Sequence, residues 1–141
     1  FVRIKEPNMK PFVWKIRVYM EDTDAGGVVY HATYANFFER VRTEWLRNMG
    51  LNQVELAVEQ NIIFVIRHME IDYKRAARLD DELEVTVHSV DIEGVRMAFD
   101  QQMTRCSDGQ RIASAKLTAV CVKADSFKPT QVPEWIRADM T

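Results

Sequence analysis

The sequence predicts an α+β domain in which an antiparallel sheet wraps around one long helix. Three observations carry that prediction. Tyr34, Phe37, Phe38, Val41, Trp45 and Met49 recur at i, i+3, i+4, i+7, i+11 and i+15, the broad apolar stripe of an amphipathic helix. Runs with period 2, the signature of half-buried strands, stand on both sides of that stripe. Short turns rather than helical spacers join the later runs, which favours antiparallel neighbours with the helices on one face. A length of 141 residues suits a single domain, residues 1–141, with one core.

The elements follow in order. Pro7 and Pro11 bracket an irregular start. Residues 12–19 read as a strand, with Trp14, Ile16 and Val18 facing one way and Lys15, Arg17 and Tyr19 the other. Residues 20–30 form a loop rich in acid and glycine. The helix runs from about residue 31 to Gly50, which suits the C′ position, and Glu39, Arg40, Arg42, Glu44 and Arg47 occupy its other faces. A shorter helix is expected over 53–60. Residues 62–73 read as a strand of poor alternation, and 82–90 as a clean one with Leu83, Val85 and Val87 inward. The strand over 95–105 follows a turn at Glu93-Gly94, and Ser107-Asp108-Gly109 marks a hairpin. The last strand, 111–123, places Ala113, Ala115, Ala119 and Cys121 on one face, small enough for the aromatic helix to approach closely. A turn around Pro129 and Pro133 leads to a short terminal helix. The count is about five strands.

Composition excludes several classes. With 47% hydrophobic and 28% charged residues the chain is not a disordered one. A formal charge of −2 lacks the basic excess of a nucleic-acid binder. Cys106 and Cys121 both fall in strand-like runs, without CxxC or a Cys/His cluster, so they read as buried thiols rather than a disulfide or a zinc site. No apolar run approaches the roughly 18 residues of a membrane span, and the first residues have no signal-peptide core. The expectation is a cytoplasmic protein.

The chemistry concentrates in Glu21-Asp-Thr-Asp-Ala-Gly-Gly-Val-Val-Tyr-His31. Two carboxylates, Asp22 and Asp24, precede paired glycines where a strand hands over to a helix. Glycines allow positive φ and close approach of a ligand to the backbone. The helix start offers unpaired N–H groups and a positive dipole end. A carboxylate beside such donors suits acyl transfer: it attacks a carbonyl or activates water, while backbone N–H groups hold the developing oxyanion. A thioester suits this best, because thiolate leaves without a general acid. Solvated or capping acids are the bland reading of the same pair, and spacing alone leaves both open. A calcium loop does not fit, since Thr33 stands where the bidentate Glu belongs and a strand precedes the loop. His31 at the helix entry can orient substrate or simply supply a backbone N–H. His68 and His88 read as structural or surface residues. Nucleophile-elbow, P-loop, dinucleotide and HExxH motifs are absent.

Val18-Tyr-Met-Glu-Asp-Thr-Asp-Ala-Gly-Gly-Val-Val-Tyr-His31, with Tyr34, Phe38-Glu39, Arg42 and Leu46, resembles the 4-hydroxybenzoyl-CoA thioesterase family. The likeness is strongest to the branch found with the Tol–Pal envelope system, and it continues through Phe64-Val65, Tyr73, Ala77-Arg-Leu-Asp-Asp81 and Lys128-Pro129 to Pro133. The resemblance implies a hotdog fold, protomers paired through their sheets as dimers of dimers, and hydrolysis of acyl-CoA with neither metal nor organic cofactor. It implies Asp24 as nucleophile or general base and His31 as the site of the carbonyl-polarising N–H, its side chain being implicated as well in that branch. Gly27 and Tyr30 fall at substrate-contacting positions of the motif. Arg96 is the first candidate to hold CoA, with Lys74 and Arg75 as further ones. One departure stands out: relatives often carry Tyr before the Glu-Asp pair, where this chain has Met20. Tyr19, by strand alternation, should face away. A second reading is a non-catalytic hotdog module that docks acyl-carrier protein or Tol–Pal-linked envelope partners, and a third is a hotdog dehydratase, which the loop fits less well.

Overall fold

The computed structural model describes residues 2–3 and 11–139; Pro7 lies outside them. Its strands are β1 (Val2–Arg3), β2 (Phe12–Arg17), β3 (Ile62–Tyr73), β4 (Glu82–Val87), β5 (Ser89–Glu93), β6 (Arg96–Arg105) and β7 (Arg111–Lys123), and its helices α1 (Thr33–Asn48), α2 (Gln53–Gln60) and α3 (Glu134–Asp139). Every pairing is antiparallel. The expected count of about five strands becomes seven segments in five positions across the sheet. β1 and β2 line β5 and β4, which in turn line β6; β7 and then β3 follow. The strand expected over 82–90 breaks at His88, whose N–H reaches the Asp100 carbonyl (2.7 Å). There it passes from one half of β6 to the other.

The apolar stripe explains what the sheet wraps. Tyr34, Phe37, Phe38, Val41, Trp45 and Leu46 of α1 are buried in one cluster with Leu83, Val85 and Val87 of β4 and Ile16 of β2. Full burial of a side chain such as Phe37 or Phe38 contributes roughly 1.5–3 kcal/mol. The helix ends as its sequence requires: Gly50 takes φ +79°, and its N–H and that of Leu51 return to the carbonyls of Arg47 and Leu46. Asn52 caps α2 by accepting from the N–H groups of Val54 and Glu55.

Several details depart from expectation. Trp14, on the same face as buried Ile16, is 43% exposed and stacks on Phe12. Strand β2 stops at Arg17, so alternation does not govern Tyr19, which is exposed together with Met20. The poor alternation of β3 has a cause in a bulge between Ile66 and His68. Cys106 lies in the turn after β6 and is exposed, whereas Cys121 is buried. Arg42 sits on the buried side of α1. The small residues of β7 are buried as expected, yet α1 comes closest to β4 and β2.

Candidate active site

Two acids that look alike in sequence do different work. Asp22 ends a short 3-10 turn, Met20–Asp22, and is 7% exposed. Its Oδ2 accepts the Tyr19 N–H at 2.8 Å, and its carbonyl accepts the Tyr30 N–H at 3.0 Å. Asp22 therefore holds the loop together. Asp24 is exposed at the tip. The chain doubles back around it: Thr23 bridges Val29, the Asp24 N–H bonds the Val28 carbonyl (2.9 Å), and the Gly27 N–H bonds the Asp24 carbonyl (3.0 Å).

The two glycines are needed for separate reasons. Gly27 takes φ +78°, a conformation costly for other residues. Gly26 donates its N–H to Asp24 Oδ1 (2.8 Å), and a Cβ there would stand 3.2 Å from that same oxygen. The bond fixes one carboxylate oxygen, while Oδ2 bonds nothing among the described residues.

The loop delivers the chain to α1 through Tyr30 and His31, both exposed, their rings 4.3 Å apart. The Thr33 N–H turns back to the Tyr30 carbonyl (2.9 Å). Ala32, at the N-cap, provides no side-chain cap. Among the described residues the N–H groups of His31 and Ala32 donate to no acceptor. Open donors at the positive end of a helix favour negative charge.

Residues distant in sequence fix this entrance. The Tyr73 hydroxyl donates to the His31 carbonyl (2.9 Å). Tyr34 packs edge-on against Tyr73, centroids 5.2 Å apart, and its hydroxyl accepts the Ala77 N–H (3.1 Å); burial pushes the Tyr34 phenol above its ordinary pKa. The 76–81 segment binds the loop directly, since the Val29 N–H bonds the Ala77 carbonyl (2.8 Å) and Val28 bridges Arg78. Arg105 clamps that segment from β6: its guanidinium reaches Asp108 (2.9 Å), Asp81 (3.0 Å) and the Ala76 carbonyl (2.7 Å). The bond to Asp108, with the contacts to Asp81, raises the Arg105 pKa further.

Asp24, Gly27, Tyr30 and His31 thus share one loop and helix entry. Arg96 does not join them within a protomer. It opens β6 opposite Val120, whereas Tyr73 lies opposite Ala113, a separation of about 23 Å along β7. Lys74 and Arg75 directly follow Tyr73, their N–H groups both bonded to the Ile112 carbonyl, so they lie nearer the entrance. Arg78, Tyr73 and Arg105 were not foreseen as site residues from local patterns. They act through contacts spanning tens of positions, and no periodicity reports those.

The model of the thioesterase-like superfamily matches residues 18–140, and the chain belongs to that family. The acyl-CoA thioesterase YbgC of Haemophilus influenzae is 42% identical over 127 residues, covering 90% of this chain and 92% of its own. The acyl-CoA thioester hydrolase YbgC of Escherichia coli O6:H1 is 41% identical over 132 residues, covering 94% and 97%. Among solved structures, a probable thioesterase from Bartonella henselae superposes with TM-score 0.76 at 36% identity, over 87% of this chain and 99% of that one. A 1,4-dihydroxy-2-naphthoyl-CoA thioesterase from Synechocystis does so with TM-score 0.82 at 22% identity, over 92% and 95%, a likeness of fold alone. The fold is the hotdog fold, as the family resemblance implies.

Proposed function

We infer that this chain, residues 1–141 working as one domain, is an acyl-CoA thioester hydrolase. The observation that carries the reading is the Asp24 carboxylate, held by one oxygen on a glycine turn, in the same loop as the open N–H groups that begin α1. The names of the YbgC relatives support the substrate class.

The steps follow from that geometry. The thioester carbonyl oxygen accepts hydrogen bonds from the N–H groups of His31 and Ala32, where the helix dipole favours the charge that grows on it. Asp24 attacks the carbonyl carbon or takes a proton from the attacking water. The C–S bond breaks and the thiolate departs with its electron pair; where Asp24 is the nucleophile, water then cleaves the acyl–Asp24 anhydride, releasing the free acid and restoring the carboxylate. Gly27 and Tyr30 line the approach beside Asp24, and His31 orients substrate through its ring.

The long CoA arm runs over the surface toward basic side chains. Lys74, Arg75 and Arg78 flank the entrance of the same protomer, and Arg96 serves a neighbouring protomer's site in a dimer of dimers. The outer edge of β3, unpaired among the described residues, supports pairing of sheets between copies, since an open edge is a template for another strand.

Thiol release measured across short-chain, long-chain and aromatic acyl-CoAs tests this function. Turnover above background on at least one class is expected. Background rates on all of them, together with binding of acyl-carrier protein, would replace the reading with that of a non-catalytic module.

A further inference from the structure

The stretch between β3 and β4 has no regular ladder of its own. Residues 74–81 belong to no strand or helix, and Asp80 takes φ +70°, a left-handed conformation that a residue other than glycine keeps where its surroundings hold it. Yet this stretch is bonded to both arms of the loop that carries Asp24. Before Asp24, the Val18 N–H bonds the Asp81 carbonyl (2.9 Å) and the Asp80 N–H bonds the Val18 carbonyl (3.0 Å). After Asp24, the Val29 N–H bonds the Ala77 carbonyl (2.8 Å). The Ala77 N–H in turn donates to the Tyr34 hydroxyl (3.1 Å), in the first turn of α1. Buried Ala77 is therefore the joint between the loop with the carboxylate and the helix with the open N–H groups.

Arg105, at the end of β6, holds this joint. Its side chain is 17% exposed, and each of its three nitrogens has a separate acceptor. Nε donates to Asp81 Oδ2 (3.0 Å), Nη1 to Asp108 Oδ2 (2.9 Å) and Nη2 to the Ala76 carbonyl (2.7 Å). Asp81 Oδ2 also accepts the Arg78 N–H (2.9 Å). One guanidinium thus ties both ends of the 76–81 segment. The Ala76 carbonyl and the Ala77 N–H belong to one peptide unit. A cation on that carbonyl polarises the unit and strengthens the bond from its N–H to the Tyr34 hydroxyl. A lysine ammonium is a point charge on a flexible stem and does not reproduce the planar fork.

We propose that Arg105 is a positioning residue for the hydrolysis: through the Ala76–Ala77 peptide it fixes the Asp24 loop against the start of α1, so that the carboxylate and the N–H groups of His31 and Ala32 meet one carbonyl together. The inference rests on the hydrolase reading. Arg105 bonds neither Asp24 nor the helix start itself; it acts through the segment between them. A displacement of about 1 Å between reacting groups can cost on the order of a hundredfold in rate. Lys74 and Arg75 keep their own anchor on the Ile112 carbonyl of β7, so the loss belongs to kcat rather than to KM.

The test is Arg105→Lys, which keeps the charge and loses the fork, assayed on an acyl-CoA that the wild type turns over. Its kcat should fall about tenfold or more, with KM changed less than about threefold. Asn52→Ala removes the cap of α2 and serves as the stability control: it should lower the melting temperature and leave kcat as it is. A kcat for Arg105→Lys within about twofold of the wild type, or a loss confined to KM, would overturn the proposal. Hydrogen exchange reads the same positioning without turnover. The Val29 amide should exchange about tenfold faster in Arg105→Lys, while the Leu51 amide, bonded to the Leu46 carbonyl at the far end of α1, keeps its wild-type rate. Equal protection of Val29 in both proteins would overturn the proposal. If Arg105→Lys does not fold, Asp81→Asn takes its place, since it removes the ion pair and keeps an oxygen for the Arg78 N–H; the same results support or contradict. Wild-type turnover with an unaffected variant would sink this inference alone. No wild-type turnover, with faster exchange at Val29 in the variant, would sink the hydrolase reading and leave Arg105 as the residue that fixes the loop.

Discussion

At the scale of single residues, Asp22 is buried and bonded within the loop while Asp24 is exposed on a glycine turn, and the proposed difference in their roles is testable by stability against rate. Asp22→Ala removes the acceptor of the part-buried Tyr19 N–H, so it should destabilise the fold by about 1 kcal/mol, read as a lower denaturation midpoint. His31→Ala keeps the backbone N–H and should slow turnover less than loss of the Asp24 carboxylate; an equal loss would show that the imidazole itself is essential. The thiols give a further check. Burial pushes the Cys121 thiol up to about 11, so at mild alkaline pH it stays protonated and should resist a thiol reagent until the protein unfolds. Cys106 is exposed and should react in the native state, although partial burial and the nearby Glu82 and Glu84 raise its pKa too. Two native thiols of equal reactivity would contradict the burial described.

Elements explain why the site is where it is. The glycine turn and the start of the long helix are local features, and the sequence pattern places them well, whereas β2 stops at Arg17, short of the expected 12–19. What local pattern does not report is the bracing of that entrance by β3 and β6. Tyr73 reaches His31 across 42 positions, and Arg105 reaches Ala76 across 29. Removing the Tyr73 hydroxyl with Tyr73→Phe leaves the edge-on ring contact with Tyr34 and deletes only the bond to the His31 carbonyl. Turnover should fall by about tenfold or less, at the scale of one hydrogen bond, with little change in melting temperature. An unchanged rate would show that the helix start needs no such brace.

For the molecule as a whole, the class and the order of elements were legible because the α1 stripe and the alternating strands are strong signals. The stripe at Tyr34, Phe37, Phe38, Val41 and Trp45 is buried as its spacing requires. The misreadings share a cause. Cys106 and Arg42 were assigned to faces by residue type or alternation. Their true exposure depends on where β6 turns and how Gln101 meets α1, neither of which is local. At His88 the pairing passes along β6 with a break, so one expected strand became two segments. The open β3 edge makes a statement about assembly: sedimentation should find an oligomer, and a monomer fully active at all concentrations would contradict pairing through that edge.

The central claim is that the Asp24 carboxylate drives thioester hydrolysis. Its most direct test is thiol release from a well-turned-over acyl-CoA by Asp24→Asn, which removes the charge and keeps the shape, with melting temperature measured alongside. The account expects a native melting temperature and a loss of turnover on the order of a hundredfold or more. Unchanged turnover in a folded Asp24→Asn protein would contradict it.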